Sequence, residues 1–206
     1  MARARSAFEA GADLIELDVW RYRGRLEVRH TKTMGRVPLL WDRWSLAPGW
    51  GPRLLLDELL DTLPPGAGLM LDLKGNDRRL PAEVLTAVDR RPRTGAVAVC
   101  SQNWALVDEL GQRADITAVH SIGKRRRFAG LLEHLRAHEP AGQAAISIHR
   151  RLLTTDSIRA LRELDTTIVT WPVNDAAVAR TLTEWGIDGL ISDDVDLVRK
   201  IVAQRG

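Results

Sequence analysis

The sequence lacks most of the features that mark secreted or membrane proteins. Its 206 residues include one cysteine, Cys100, so no internal disulfide can form. The N-terminal stretch MARARSAFEAGAD has no apolar run of signal-peptide length, and no segment of the chain is long enough to span a membrane. We therefore expect a protein of the reducing cytoplasm without a membrane span.

A large excess of one charge is also absent. Thirty lysine and arginine residues face 27 aspartate and glutamate residues, which gives a formal net charge of +3. Nearly all of the positive charge is arginine, and this favours anionic partners without choosing among nucleic acids, phosphate esters and membrane surfaces. This signal is weak, and we expect no nucleic-acid partner.

Short apolar runs alternate with amphipathic helical stretches along the chain. The apolar runs predict strands at 14–19, 26–30, 68–74, 96–100, 116–120, 144–149, 166–171 and 189–193. Helical patterns lie between most of them, at 81–91, 103–114, 128–139, 154–164 and 175–186. This order predicts an α/β fold with a parallel sheet, either doubly wound or closed into a barrel.

Charged residues inside two of these strands favour the barrel. In LIELDV, Glu16 and Asp18 share one face because side chains alternate along a strand, and Asp72 and Lys74 do the same in LMLDLK. A doubly wound sheet buries both faces under helices, whereas polar side chains converge at the mouth of a barrel. A TIM-type (β/α) barrel is therefore the predicted fold.

One region interrupts the alternation. We expect residues 1–206 to form a single barrel domain with an inserted loop region at about 31–65, which contains Trp41, Trp44 and Trp50. The tryptophans either form a small aromatic core within a surface insertion or line a lid beside the active site, since long ordered loops often carry function.

Three carboxylates at one barrel mouth need a counter-charge. Two like charges about 4 Å apart repel by roughly 4 kcal/mol at an effective dielectric near 20. If Glu16, Asp18 and Asp72 meet, a divalent ion is the natural partner, and oxygen donors suit Mg²⁺, Ca²⁺ or Mn²⁺ better than zinc. Lys74 would then complete a site for an anion such as phosphate. The alternative is that these residues simply mark the solvent-facing sides of their strands.

Six segments, in order along the chain, resemble those of the glycerophosphodiester phosphodiesterases, a family with a TIM-barrel fold. EAGADLIELDV is similar to the family's Glu-x-Asp metal segment, and LEVRH to the strand that carries its second catalytic histidine. The segments GPRLLLDELL and LMLDLK follow, the latter similar to the third metal carboxylate and its lysine. VTWPVND and GIDGLISDD resemble the last two conserved strands of the family.

The resemblance implies metal-dependent hydrolysis of glycerophosphodiesters to glycerol 3-phosphate and an alcohol, in the breakdown of phospholipid-derived metabolites. Glu16, Asp18 and Asp72 would bind Mg²⁺ or Ca²⁺. His30 would be a general acid or base and Lys74 would bind the phosphate. Trp171 would line the substrate cleft.

The chain departs from the family pattern at its start. The first barrel strand, with its His-Arg-Gly, is absent, so the resemblance implies an N-terminally truncated member whose barrel lacks its first strand. Asp72 stands where glutamate is usual, Thr31 where aspartate commonly orients the histidine, and Pro172 where threonine is found. Two alternatives therefore stay open: a degenerate barrel that binds a phosphodiester or a partner without catalysis, and a lyase that releases a cyclic phosphate.

Other candidate residues follow predicted strands. The run KRRR at 124–127 could attract anionic head groups or form a solvated loop. His120 and His149 end strands and could face the barrel mouth in place of the missing histidine. Cys100 has no base nearby in sequence and is expected in the core.

Overall fold

A computed structural model describes residues 2–34, 37–42, 45–48, 53–92, 94–138 and 145–205. Eight strands form one sheet in the order β11-β10-β9-β8-β7-β6-β1-β2. Their bounds are β1 Ile15–Tyr22, β2 Arg25–Val28, β6 Leu69–Lys74, β7 Val97–Ser101, β8 Ile116–Ile122, β9 Ala145–His149, β10 Thr167–Trp171 and β11 Gly189–Leu190. Neighbours are parallel throughout except for β2, which pairs antiparallel with β1.

Helices follow most strands, as the alternating pattern predicts. They are α1 Ala2–Glu9, α2 Leu56–Thr62, α3 Leu80–Asp89, α4 Trp104–Leu110, α5 Phe128–Ala137, α6 Thr155–Arg162, α7 Ala176–Glu184 and α8 Val195–Ala203. The helix predicted at 103–114 ends at Leu110, with Gly111 as its C-cap. The 124–127 run is no simple loop, because Arg125–Arg127 forms a 3₁₀ turn that leads into α5. None of the helices within the described ranges is long and apolar enough to cross a bilayer.

The inserted region contains a second, small sheet. Strands β3 Lys32–Met34, β4 Val37–Asp42 and β5 Ser45–Pro48 pair antiparallel in the order β3-β4-β5. The side chain of Trp41 and all of Trp44 and Trp50 lie outside the described residues, as does most of the 48–52 turn. The two interpretations of the tryptophans, aromatic core or lid, therefore stay predictions.

The hairpin that joins β1 to β2 is closed by a two-residue turn. Arg23 and Gly24 both have positive φ, 49° and 77°. This conformation suits the right-handed twist of the two strands that it joins. The turn fixes the register in which Val19 lies opposite Val28.

The main sheet is curved but not closed. Ile15 to Leu17 of β1 have no strand partner on the side away from β6 among the described residues, and β11 is the last strand at the other end. A mostly apolar cleft of about 500 Å³ lies beside both, bordered by residues of α1, β1, β11 and α8. The structure thus matches a (β/α) barrel with one position open.

Apolar side chains divide between the two faces of the sheet. Two large clusters pack between the strands and the surrounding helices. A smaller cluster fills the inner face and consists of Met70, Ala98, Cys100, Val119 and Ala145. Cys100 is buried there, in the core position expected from the sequence.

Gly68 provides a test of this packing. A Cβ at this position would lie 2.2 Å from the backbone carbonyl oxygen of Asp13 and 2.8 Å from a methyl group of Leu14. We expect Gly68→Ala to lower the free energy of unfolding by about 1–3 kcal/mol, because the start of β6 must move away from the chain that precedes β1.

Gly130 is the matched control for this substitution. It lies within α5, and a Cβ there would have no neighbour within 4 Å. Gly130→Ala should stabilise the protein by roughly 0.5–1 kcal/mol, because it removes backbone freedom from the unfolded chain. Urea unfolding followed by circular dichroism measures both changes, and a Gly68→Ala variant as stable as the wild type would contradict the packing described.

Candidate active site

The register between β1 and β6 brings the three predicted carboxylates together. Asp18 and Asp72 are direct neighbours across these strands, and Glu16 lies two residues before Asp18 on the same face. One carboxylate oxygen from each residue can be chosen so that all lie within 4.8 Å of one another. These residues could hold a metal ion, as the oxygen-donor pattern in the sequence suggests.

Lys74 lies among these carboxylates. Its Nζ is 2.8 Å from Asp18 Oδ1 and also forms an ion pair with Asp72 Oδ2. Burial alone would lower the pKa of Lys74, but the two carboxylates outweigh it and raise the pKa above its usual value. The ammonium group is therefore charged and offsets part of the repulsion.

One lysine does not neutralise three carboxyl groups. Burial, followed by the negative charges of Asp18 and Asp72, raises the pKa of Glu16 to about 8. Glu16 borders the open cleft, so water reaches one side of the side chain while protein surrounds the rest. Burial also raises the pKa of Asp72 to about 6, although Lys74 acts in the opposite direction. Asp72 Oδ1 is buried without a hydrogen-bond partner among the described residues.

His30 lies at the edge of this group. Its Nδ1 is 2.8 Å from Asp18 Oδ2, and because a carboxylate can only accept, Nδ1 carries the proton and donates it. The ring is 80% exposed, and the amide of Arg29 donates to the carbonyl of Asp18 at 3.0 Å. Thr31 removes the aspartate that commonly orients this histidine, but His30 does not lack an orienting carboxylate, because Asp18 orients the ring from the neighbouring strand.

A buried charge network supports the hairpin. Glu27, 4% exposed, accepts from Arg29 Nε at 2.7 Å and from Arg53 at 2.9 Å. The Arg29 guanidinium also lies over the ring of Trp20, 4.8 Å from its centroid. This network was not predicted, although alternation in RLEVRH places Glu27 and Arg29 on one face.

Trp171 lies apart from the carboxylates. It ends β10, which is four strands from β6 in the sheet order. Its ring meets the ring of His149 edge-on, at 4.8 Å between centroids, and packs against Gly123, where a Cβ would lie 3.4 Å from it. Both residues are at the carboxyl edge of the sheet, the edge that also carries Lys74.

His120 does not face the barrel mouth, so that expectation is wrong. Its neighbour Val119 lies in the inner cluster, and Ile122 packs against the helices. His120 therefore points to the helical layer, where its Nε2 is 2.8 Å from Asp108 Oδ1 of α4. The 124–127 run also contributes to this layer, since Arg127 lies over the ring of Trp104 at 4.2 Å.

The described fold is shared with solved phosphodiesterase structures. A phosphodiesterase from Oleispira antarctica, solved in complex with the product sn-glycerol-3-phosphate, has a TM-score of 0.75 and 16% identity, covering 98% of this chain and 89% of that chain. A glycerophosphodiester phosphodiesterase from Parabacteroides distasonis has a TM-score of 0.67 and 17% identity, with coverage of 98% and 87%.

A third structure, a glycerophosphodiester phosphodiesterase from Agrobacterium tumefaciens, has a TM-score of 0.62 and 22% identity, covering 98% of this chain and 91% of that chain. Neither a protein-family model nor a curated protein matches the sequence. At these identities the likeness shows a common fold. The predicted TIM-type α/β architecture is therefore confirmed.

The raised pKa of Glu16 predicts a dependence of stability on pH. A carboxyl group whose pKa rises on folding destabilises the native state progressively as pH increases from about 4.5 to 8, because it must ionise at a cost. In a chelator at pH 8, Glu16→Gln should therefore raise Tm by about 2–4 °C, or about 1 kcal/mol after allowance for screening by cleft water.

The difference should vanish at pH 4, where the carboxyl group is protonated in both the folded and unfolded states. Glu184→Gln, at an exposed position of α7, is the control and should leave Tm unchanged at both pH values. Thermal unfolding followed by circular dichroism gives the comparison. Equal Tm for wild type and Glu16→Gln at pH 8 would show that ionising Glu16 in the folded protein carries no cost, and would contradict the raised pKa.

Proposed function

We propose that this protein hydrolyses glycerophosphodiesters to glycerol 3-phosphate and an alcohol with the help of a divalent metal ion. The observation that carries the proposal is the meeting of Glu16, Asp18, Asp72, Lys74 and His30, with Asp72 and Lys74 leading to the carboxyl edge of the sheet at the end of β6. Active sites of (β/α) barrels lie at this edge. The fold is shared with phosphodiesterases, one of which was solved with glycerol 3-phosphate as its product.

The donor set fits a hard divalent ion. Glu16, Asp18 and Asp72 offer carboxylate oxygens, which Mg²⁺ and Ca²⁺ prefer. Asp72 Oδ1 is buried and without a partner among the described residues, and a cation would satisfy it. When bound, such an ion polarises a phosphoryl oxygen and offsets the charge that develops on it.

Lys74 and His30 supply the remaining chemistry. Lys74 places a partly buried positive charge beside the carboxylates, where it binds a phosphate oxygen of the substrate. Because Asp18 fixes the proton of His30 on Nδ1, Nε2 is the atom that exchanges a proton with the reactants. At Nε2 the ring either protonates the departing alkoxide or accepts a proton from the attacking water.

Trp171 and His149 are suited to the alcohol end of the substrate. Their rings meet edge-on at the carboxyl edge of β9 and β10, away from the carboxylates. An indole at this position offers an apolar wall for a head group. We assign Trp171 to the substrate cleft on this basis.

The proposal extends to the domain extent, the cellular compartment and the metabolic role. A single domain over residues 1–206 would act in the cytoplasm on phospholipid-derived metabolites. A small-molecule glycerophosphodiester would be its partner, and the inserted region at 31–65 would belong to that domain.

A second candidate is a barrel that binds a phosphodiester without cleaving it. The open position between β1 and β11 favours it, because a cleft of about 500 Å³ beside Glu16 could hold a ligand away from His30. This candidate predicts binding without turnover.

Glycerophosphocholine is the substrate that tests the proposal. We expect the purified chain to release glycerol 3-phosphate with Mg²⁺ or Ca²⁺ and to stop when a chelator is added. Asp18→Asn should lower kcat most, since it removes both a metal ligand and the group that orients His30. His30→Gln should lower kcat by about 10²–10⁴-fold. Asp115→Asn, at an exposed surface position, is the control.

The products separate the alternatives. Glycerol 3-phosphate, detected enzymatically, supports hydrolysis, and a cyclic phosphate would point to a lyase. Bound but uncleaved glycerophosphocholine, in a chain whose circular dichroism shows it folded, would favour the binding barrel. Turnover by His30→Gln at the wild-type rate would exclude His30 from proton transfer.

A further inference from the structure

A second group of potential metal ligands lies on the other face of the sheet, between α4 and α5. His134 and His138 are one turn apart on α5, or directly after it, and Asp108 is on α4. A ring nitrogen from each histidine and an oxygen of Asp108 lie within 4.8 Å of one another. This group, which we name the Asp108 cluster, takes no part in the chemistry proposed above.

The distances within the cluster are close to those of a coordination shell. Asp108 Oδ1 is 3.1 Å from His134 Nε2. Two ligands of a tetrahedral zinc ion, each about 2.1 Å from the metal, are about 3.4 Å apart. The His134 and His138 rings stack at 4.2 Å between centroids.

His138 has the protonation that a ligand needs. Its Nδ1 is 3.0 Å from the backbone carbonyl oxygen of His134. Because a carbonyl only accepts, the proton lies on Nδ1, and the lone pair is on Nε2. Metal-binding histidines commonly donate their other ring N–H to a carbonyl or carboxylate in this way.

A buried histidine donates a hydrogen bond to Asp108 and fixes the position of its carboxylate. His120, 3% exposed, donates from Nε2 to Asp108 Oδ1 at 2.8 Å. The Trp104 ring lies 5.1 Å from that of His134, and its Nε1 donates to the carbonyl of Ser121 at 3.0 Å. Carboxylate ligands of metals are typically positioned by such hydrogen bonds. His120 would therefore be a positioning residue.

We infer that Asp108, His134 and His138 bind a divalent transition-metal ion, with zinc as the best fit. Two imidazole nitrogens and one carboxylate oxygen are zinc donors, and they leave a fourth position for water. Binding through Nε2 requires the proton of the neutral His134 ring to move from Nε2 to Nδ1, a change of tautomer without net proton loss, while His138 already has its proton on Nδ1. His138 is exposed, so the site is reached from solvent.

The ligand chemistry separates this site from the carboxylate group of β1 and β6. Three carboxylates suit hard ions such as Mg²⁺ and Ca²⁺, whereas imidazole selects transition metals. The two sites also lie on opposite faces of the sheet. The inference does not depend on the proposed function, because the Asp108 cluster can bind zinc whether or not the chain cleaves phosphodiesters.

Zinc binding to the metal-depleted full-length chain tests the inference. We would measure it by competition with a chromophoric zinc chelator in a Glu16→Gln/Asp72→Asn background, which weakens binding at the other site. One zinc per chain should bind with a Kd on the order of 1 μM or below. His138→Ala should weaken binding by about 100-fold and His120→Gln by about 10-fold.

The control is Arg136→Ala, at an exposed position of the same helix, which should leave zinc affinity within about two-fold of that of the background protein. Co²⁺ supplies a second readout, since its visible absorption reports nitrogen and oxygen ligands in tetrahedral geometry. That spectrum should be lost in His138→Ala. Because His138 is exposed, this substitution should leave the fold intact, and misfolding would not explain the loss. Zinc affinity unchanged in both His138→Ala and His134→Gln, or no zinc bound at 10 μM by the folded chain, would overturn the inference.

Discussion

The candidate active site depends on the ion pairs that the ammonium group of Lys74 forms with Asp18 and Asp72. Unit charges about 4 Å apart repel by roughly 4 kcal/mol at an effective dielectric near 20, and three carboxyl groups meet here. The lysine relieves part of this cost, while burial, followed by the negative charges of Asp18 and Asp72, raises the pKa of Glu16. A site with residual negative charge is one that favours a further cation.

Strand register places these groups. Asp18 lies opposite Asp72, and Trp20 opposite Lys74, in the parallel pair of β1 and β6. A shift of one residue would turn the charged side chains of one strand to the other face, away from their partners and into an apolar layer. The same apolar residues that hold the register, such as Leu17 and Leu71 on the helix-facing side, therefore also hold the charges together.

The sequence predicts some of these features for physical reasons and leaves others open. Alternation in LIELDV and LMLDLK predicts which side chains share a face, because one face is apolar and the other charged. It does not predict that Asp18 orients His30, since that contact depends on the turn at Arg23 and Gly24. The sequence does not predict the orientation of His120, because β8 is largely buried on both sides and such a strand has no polar face that marks the solvent. The spacing of His134 and His138 on a helix is a signal that could have revealed the Asp108 cluster.

The tight turn of the β1–β2 hairpin has a consequence for the order in which the site assembles. Asp18 and His30 are 12 residues apart, and the loop between them closes at a small entropic cost. Asp72 and Lys74 join only when β6 pairs with β1 across the whole inserted region. Loop-closure entropy thus favours a folding route in which the contact between Asp18 and His30 forms before Asp72 and Lys74 join it.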